Sequence, residues 1–487
     1  MRILKTILLR LFALIVSIGL LIAGVQTYYH FTPTALSPLV AEINARAALL
    51  PTLTENGFRL SGLLSSKSGD PVEHGRCLKR ANDAQRRERE QPTAPRPPWP
   101  DDAKAFKQYW EADAVRGEAL IAPCFTANDR LTLPKTLTDV PIRLGADATV
   151  WQTLAAVELD PVLVSRAETV WANGPRRLGG EIQDALPPIS PLLSIERWRI
   201  ARAVQQWHAG ERAAATAAWQ RSTADWMNSA DDTLVDAMLS IVVVQQVLIA
   251  MQQSAANADR LDDMTANSMA MAMQPIKHFP EAISTALLAE WQQVSAMIKQ
   301  LDLGSSAITS GGLLPSNPIA DALSRVTFER NDTLNRLAST HLKYQAEVLS
   351  AARGQTVATT DVERDVAADA FGCTALGDWA PVCMPFLRNS TGRILVAIGG
   401  PQYGAYGVRG ADLRNLAAAT RLTIEARRRA LFGDALVRFI ANAPEDMRDV
   451  FSGNAFVYDV ASKCLRIELR EKSTILGEKG ATYELRL

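Results

Sequence analysis

Apolar and polar positions divide the chain into segments of different period. Arg2, Lys5 and Arg10 lead into an uncharged run from Leu11 to Tyr29. Counted from Ile7, this run reaches the length of about 20 residues that a helix needs to cross a bilayer. Tyr28 and Tyr29 sit where an aromatic belt forms, and no acid precedes Glu42. With cations only on its N-terminal side, the segment predicts one transmembrane helix, cytoplasmic N-terminus first, with the rest of the chain exported. Residues 1–30 are thus the cytoplasmic stub and anchor. Thr32-Pro33 and Ser37-Pro38 break the chain, and Leu39–Leu50 restores a helical period, so residues 31–85 are expected as a juxtamembrane helical stalk. Residues 86–103 combine a charged run with five prolines and predict an extended surface linker. Residues 104–442 predict a helical domain and 443–487 a β-hairpin segment.

The clearest helices lie between 194 and 260. Ser194 can cap a helix carrying Ile195, Trp198, Ala201, Val204 and Trp207. His208–Glu211 then turns the chain into a second helix with Ala213, Ala217, Trp219 and Trp226. This αα-hairpin resembles one tetratricopeptide unit, but nothing recurs at the period of about 34 residues that a solenoid of such units has. Ser229 with Asp232 offers a capping box for a helix over Asp232–Gln253. That helix is apolar on nearly every face. Asp236, Gln245 and Gln246 interrupt it, which favours a central buried helix over a second span. Further helices are expected at 282–301, 318–352 and 409–442; the last, dense in Ala, Leu and Arg, suits the surface of a bundle. Beyond Pro444, the runs Phe456–Val460 and Leu465–Leu469 flank a tip at Ala461–Lys463 and predict a C-terminal β-hairpin, to which Tyr483–Leu487 can add a third strand. The expected fold is mainly α: an irregular helical bundle with one tetratricopeptide-like αα-hairpin.

Composition narrows the function. The 487 residues are 47% hydrophobic and 21% charged, a globular balance with room for two or three domains. Lys plus Arg equals Asp plus Glu at 52 each, which argues against a nucleic-acid partner. A cleaved signal peptide is the rival to the anchor. Ala23 and Gly24 are small, but a cut after Gly24 places Ile22 three residues upstream of the bond, and no A-x-A pattern is present. Either way the domain enters an oxidising compartment, where cysteines pair. Cys373 and Cys383 bracket a short loop, Cys77 and Cys124 flank the proline-rich segment, and Cys464 is left over.

Chemistry is sparse. None of His30, His74, His208, His278 and His341 sits at a ligand spacing, and there is no C-x-x-C, P-loop or G-x-S-x-G elbow. No cofactor is implied. The glycine-rich stretch Ile398–Gly407 reads as an irregular bend with Tyr403 and Tyr406 packing. Asp231/Asp232 and Asp262/Asp263 sit where helices begin and offset the macrodipole. Met264, Met269, Met271 and Met273 cluster near His278; thioethers suit Cu(I), although Met269 and Met273 are also spaced as one packed helix face.

Three stretches carry a resemblance to a family of uncharacterised proteobacterial membrane-anchored proteins. Phe328–Arg336 is similar to an F-x-x-N-x-T-L-N pattern at a helix start. Asn389–Leu395 leads into Tyr403, Tyr406, Arg409 and Asp412. Asp449–Phe456 resembles a D-P-F-[ST]-G-x-P-[FY] turn, also found in type II secretion pseudopilins, with Val450 and Ala455 in place of both prolines. The pseudopilin processing motif is absent. The resemblance implies a Gram-negative inner-membrane protein with a periplasmic domain and supplies no activity. In physical terms Asn331 or Asp332 can cap a helix, Thr333 and Asn335 can bond exposed backbone, and Gly392 allows a close approach. The expectation is a non-catalytic periplasmic scaffold or envelope assembly factor working with an envelope partner. The alternatives are an exported hydrolase whose carboxylates converge in the fold, and a Met-rich Cu(I) binder.

Overall fold

The computed structural model describes residues 17, 20–22, 24–26, 28–29, 32–50, 54–90, 124, 131–140, 142, 148–174, 189–300, 328–355, 387–398, 403–473, 476, 480 and 482–487. Most of the expected anchor lies outside this set, as do Cys373, Cys383 and residues 91–103 of the linker. The described positions between 17 and 29 are helical. The fold is mainly helical, with one small antiparallel sheet at its C-terminal end.

The helices in chain order begin with α1 (Pro38–Ala47), α2 (Glu55–Ser61), α3 (Pro71–Glu90), α4 (Thr136–Asp139), α5 (Ala148–Ala155) and α6 (Pro161–Ala172). Local chemistry starts several of them. Ser37, Thr54 and Asp160 each accept a bond from the first turn of the helix that follows, and Pro38 and Pro161 occupy first helical positions. The charged run 86–90, expected in the linker, continues α3. Arg and Glu are good helix formers, and the break falls to the prolines that follow. Nor does the segment expected as a stalk stand apart. α1 packs on two later helices, and α2 packs on α6. Arg166 of α6, nearly buried, donates to the carbonyls of Ser65, Ser66, Lys67 and Gly69 and so pins the α2–α3 loop.

The αα-hairpin is α7 (Ile189–His208) and α8 (Arg212–Met227), with Gly210 at φ +86° in the turn. Trp207 and Trp219 meet with ring centroids 5.6 Å apart. Ser194 does not cap α7. It lies inside the helix, its Oγ donating back to the Ser190 carbonyl at 3.0 Å. The capping box expected at Ser229/Asp232 does not form; Ser229 donates back to the Asp225 carbonyl, and the cap is Thr233. Thr233 accepts from Asp236 N and donates to its carboxylate, starting α9 (Leu234–Ala256).

Among the described residues α9 is the one helix long and apolar enough to cross a membrane, yet 78% of its most apolar window is buried inside the protein. It packs between α7 and α8 on one side and the later helix Tyr403–Arg428 on the other. Two of its polar residues tie it to the C-terminal segment: Gln245 accepts from Ser473 at 3.0 Å and Gln252 donates to the Arg486 carbonyl. Of the residues that interrupt the apolar run, Gln245 is thus a docking point of a central helix, and Asp236 joins the cap at its start.

Next come α10 (Asp263–Ala272), capped by Asp262, a 3-10 turn at Gln274–His278, α11 (Phe279–Gln300), α12 (Arg330–Ala352), α13 (Ser390–Ile398), α14 (Tyr403–Arg428) and α15 (Gly433–Ala441). The expected single helix over 409–442 is divided where Ala430 and Gly433 take positive φ. Its first part, α14, is central rather than superficial, packing against both α9 and α12. Small residues there permit close helix contact: a Cβ on Gly407 would lie 2.4 Å from the Val348 carbonyl oxygen, and one on Gly410 would meet the Phe279 ring. Tyr403–Gly407 is helical rather than part of a bend.

The sheet has the order β1-β2-β3, from β1 (Val457–Asp459), β2 (Cys464–Glu468) and β3 (Thr482–Arg486). Tyr458 faces Leu465, and Leu465 faces Leu485 in turn. Alternation puts Leu465, Ile467, Tyr483 and Leu485 into the main core. A smaller apolar cluster joins Val40 and Ile43 of α1 to Leu288, Trp291 and Leu334.

Candidate functional site

Two features stand out from ordinary core packing. The first is a polar clasp around residues 32–37, the stretch that follows the expected anchor. Ser37 N donates to Asn335 Oδ1 at 2.7 Å, Asn335 Nδ2 returns to the Ala35 carbonyl at 2.9 Å, and Asn331 Nδ2 reaches the Thr34 carbonyl at 3.0 Å. Thr34 N donates to Glu329, which is held in turn by Arg388 through a two-pronged pair at 2.7 and 3.0 Å. The same guanidinium reaches the Thr32 carbonyl and faces the Tyr29 ring. Bonds to Arg388 and Thr34 hold the Glu329 carboxyl below its ordinary range despite burial.

Asn389 is the pin of this clasp. Its backbone sits at φ +54°, a region that Asn tolerates better than most residues. Its Oδ1 accepts from Glu329 N and Gly392 N, and its Nδ2 donates to Asp332 at 2.8 Å and to Thr333 at 2.9 Å. A Cβ on Gly392 would lie 2.0 Å from Thr333 Oγ1, so the position admits no side chain without a shift. Glu329, Asn331 and Asn335 therefore serve a contact about 300 positions away in sequence.

The second feature is a cavity between α11, α12, α13 and α14, of about 20 Å³. Glu290, Trp291, Thr340, His341, Tyr344 and Tyr403 line it. Helical spacing places His341 and Tyr344 on one face of α12 and Glu290 beside Trp291 on α11. Trp291 Nε1 donates to Asn44 of α1 at 3.0 Å, which links the cavity wall to that helix. Tyr344 and Tyr403 meet edge to face with centroids 5.1 Å apart.

The electrostatics of this cavity are unusual. His341 is 6% exposed and its Nε2 has no partner among the described residues. Burial, aided by the charge of Arg46, pushes its pKa down to about 4, so the ring is neutral at physiological pH. Burial raises the Glu290 carboxyl, which has no hydrogen bond or ion pair among the described residues. Burial, with Glu290 nearby, also raises the Tyr403 phenol.

The residues singled out earlier fare differently. Met269 and Met273 are buried in the main core, while Met264, Met271 and His278 are exposed. The sulfurs thus divide between two faces of α10 and do not converge on a Cu(I) site. No cluster of three His, Cys, Asp or Glu suited to a metal occurs among the described residues. Cys77 lies beside Cys124 at bonding distance, with Cα atoms 5.6 Å apart. Cys464 is a half-buried free thiol on β2. Among the described residues the cavity offers one carboxylate, where the hydrolytic reading needs two. Sequence reasoning passed over Glu290 and His341, because a lone acid and a lone His on separate helices have no spacing signal.

Asp412, away from the cavity, is a further acid whose pKa is raised. It is buried on α14 and accepts from Arg470 N at 3.2 Å and Glu471 N at 3.0 Å, fastening the chain after β2. Desolvation outweighs these two bonds and lifts its pKa to about 7, above its unfolded value of 3.8. A raised carboxyl stabilises the fold fully below the unfolded value and loses that contribution as pH climbs through the folded one. Each unit of separation corresponds to about 1.4 kcal/mol. We expect the wild type to lose stability relative to Asp412→Asn between pH 4.5 and 7.5, read as urea midpoints at both pH values. A gap that stays constant across that range would show that Asp412 titrates normally.

Comparison of the chain with protein-family models, curated proteins and solved structures finds no match, so no relative's activity bears on the clasp or the cavity.

Proposed function

We propose that the protein is a single-pass inner-membrane protein whose periplasmic helical domain acts as a scaffold or envelope assembly factor, presented at a fixed attitude to the bilayer. The clasp carries this reading. A floppy tether would need no specific bonds to its first residues. Here residues 32–37 are held by Glu329, Asn331, Asn335 and Arg388, immediately after the apolar run that ends at Tyr29. A helix leaving the membrane into such a clasp transmits orientation to the domain, which matters for a protein that positions partners and little for a freely diffusing enzyme. The cations at Arg2, Lys5 and Arg10 support a cytoplasmic N-terminus. The closeness of Cys77 and Cys124 suits an oxidising compartment.

The test has two arms. A C-terminal reporter that is active only outside the cytoplasm is expected to be active. Crosslinking in intact cells followed by solubilisation is expected to recover one envelope partner with the wild type and less of it with Arg388→Ala, which opens the clasp. A reporter active only inside the cell would overturn the topology. Recovery of the partner at the wild-type level from Arg388→Ala would overturn the role of fixed attitude.

A further inference from the structure

The cavity is rich in acceptors and short of donors. Glu290 brings a carboxylate with no cation beside it among the described residues, His341 brings an unpartnered Nε2 on a neutral ring, and the Thr340 and Tyr403 oxygens can accept as well. Three aromatic rings, those of Trp291, Tyr344 and Tyr403, make up much of the remaining wall. Such a site disfavours an anion, which would meet the carboxylate. It also lacks the three or four ligands that a transition metal requires. It suits a small cation with several N–H donors, since aromatic faces attract cations and buried acceptors need protons to bind. Hydrogen bonding decides which cation: about 20 Å³ has room for the head of a primary amine, whose N–H groups can satisfy these acceptors, whereas a quaternary ammonium has no N–H to donate.

We propose that this cavity binds a primary ammonium group, with Glu290 as its counter-ion, His341 Nε2 as a second acceptor and the Trp291, Tyr344 and Tyr403 rings as its wall. A lone water would supply two donors to these acceptors; an ammonium supplies three and neutralises the carboxylate. Arg46, exposed on α1, casts a positive field toward His341, and solvent screens it. The ammonium has two sources, a free small amine or the headgroup of phosphatidylethanolamine. The bond from Trp291 to Asn44 ties the cavity to the helix nearest the expected anchor, which places a headgroup within the same neighbourhood. The proposal stands apart from the scaffold reading, because it requires no particular partner or topology.

The full-length chain in detergent is to be titrated with ethanolamine, with sodium chloride and tetramethylammonium chloride at matched ionic strength as controls. The melting temperature and the His341 ring resonances provide the readouts. We expect a saturable response to ethanolamine in the millimolar range, fitting a ligand of so few atoms, and none to tetramethylammonium. Glu290→Gln keeps the shape, removes the charge and weakens the response at least about tenfold, the loss expected when a charge-assisted bond is removed. Should that variant fail to fold, Thr340→Val and the wild-type His341 resonances give the same reading. In lipid nanodiscs, phosphatidylethanolamine that blocks the ethanolamine response identifies the headgroup as the source, and an undiminished response identifies a free amine. The proposal is overturned if ethanolamine acts no differently from sodium, which leaves a cavity that holds water only, or if Glu290→Gln binds ethanolamine as well as the wild type.

Discussion

Asn389→Ala is expected to destabilise the protein by about 3–5 kcal/mol and to release residues 32–37. The estimate follows from the groups left behind. Asn389 satisfies the backbone N–H groups of Glu329 and Gly392 and the side chains of Asp332 and Thr333. Each buried group stripped of its partner costs about 1–3 kcal/mol. Arg336 still holds Asp332 at 2.6 Å, which limits the loss at that carboxylate. Alanine at a positive φ adds about 1 kcal/mol more. Asn389→Gly separates the two contributions, since glycine accepts the backbone angle and leaves the network empty. Its urea midpoint should recover only the smaller, conformational part. Limited proteolysis supplies the local readout. Cleavage between residues 32 and 37 should be slow in the wild type and fast in both variants. If stability falls and cleavage there does not change, Asn389 serves the core alone and the clasp is not its work.

The clasp also shows what could and could not be read in the sequence. Thr333 and Asn335 were recognisable as residues that bond exposed backbone, and Gly392 as a point of close approach; Asn331 and Asp332, expected as caps, lie inside α12, which starts from Glu329, and Asn331 instead reaches the Thr34 carbonyl. Their partners were not recognisable. Thr34, Ala35 and Ser37 are about 300 residues away, and no local period links an Asn on α12 to a carbonyl ahead of α1. The same contrast runs through the fold. The hairpin of α7 and α8 and the strands β1 and β2 were legible because their periods of about 3.6 and 2 are local properties. The buried character of α9 was legible from apolar residues on all its faces. The burial of α14 was not, because Ala and Arg in a helix suit either a solvated face or a tight crossing, and only the opposing helix decides between them. The cavity was the least legible part. It draws Glu290, His341 and Tyr403 from three helices, and each alone is an ordinary residue.

Gly407→Leu tests that tight crossing and should be strongly damaging. Even the first carbon of a side chain at Gly407 would sit 2.4 Å from the Val348 carbonyl oxygen and 2.9 Å from Ala351 Cβ. Both are fixed parts of α12, one of them backbone, so neither can swing aside as the tip of a flexible side chain would. The helices must separate, and the separation propagates. Gly410 on the next turn admits Phe279 against its bare backbone, Arg414 donates to the Ala352 carbonyl at 2.8 Å, and Asn415 accepts from Val450 N at 3.0 Å. Overpacking in cores costs about 1–3 kcal/mol when neighbours can yield. With backbone as the neighbour we expect more than about 4 kcal/mol, a large share of the 5–15 kcal/mol that holds a typical domain together. Gly210→Ala is the matched control, because that glycine has a positive φ of +86° and open space around its missing Cβ. It should cost only about 1–2 kcal/mol, the conformational penalty by itself. Chemical denaturation of the three proteins decides the point. Equal losses at the two positions would mean that α12 and α14 are not in intimate contact, and the cavity between them would lose its wall.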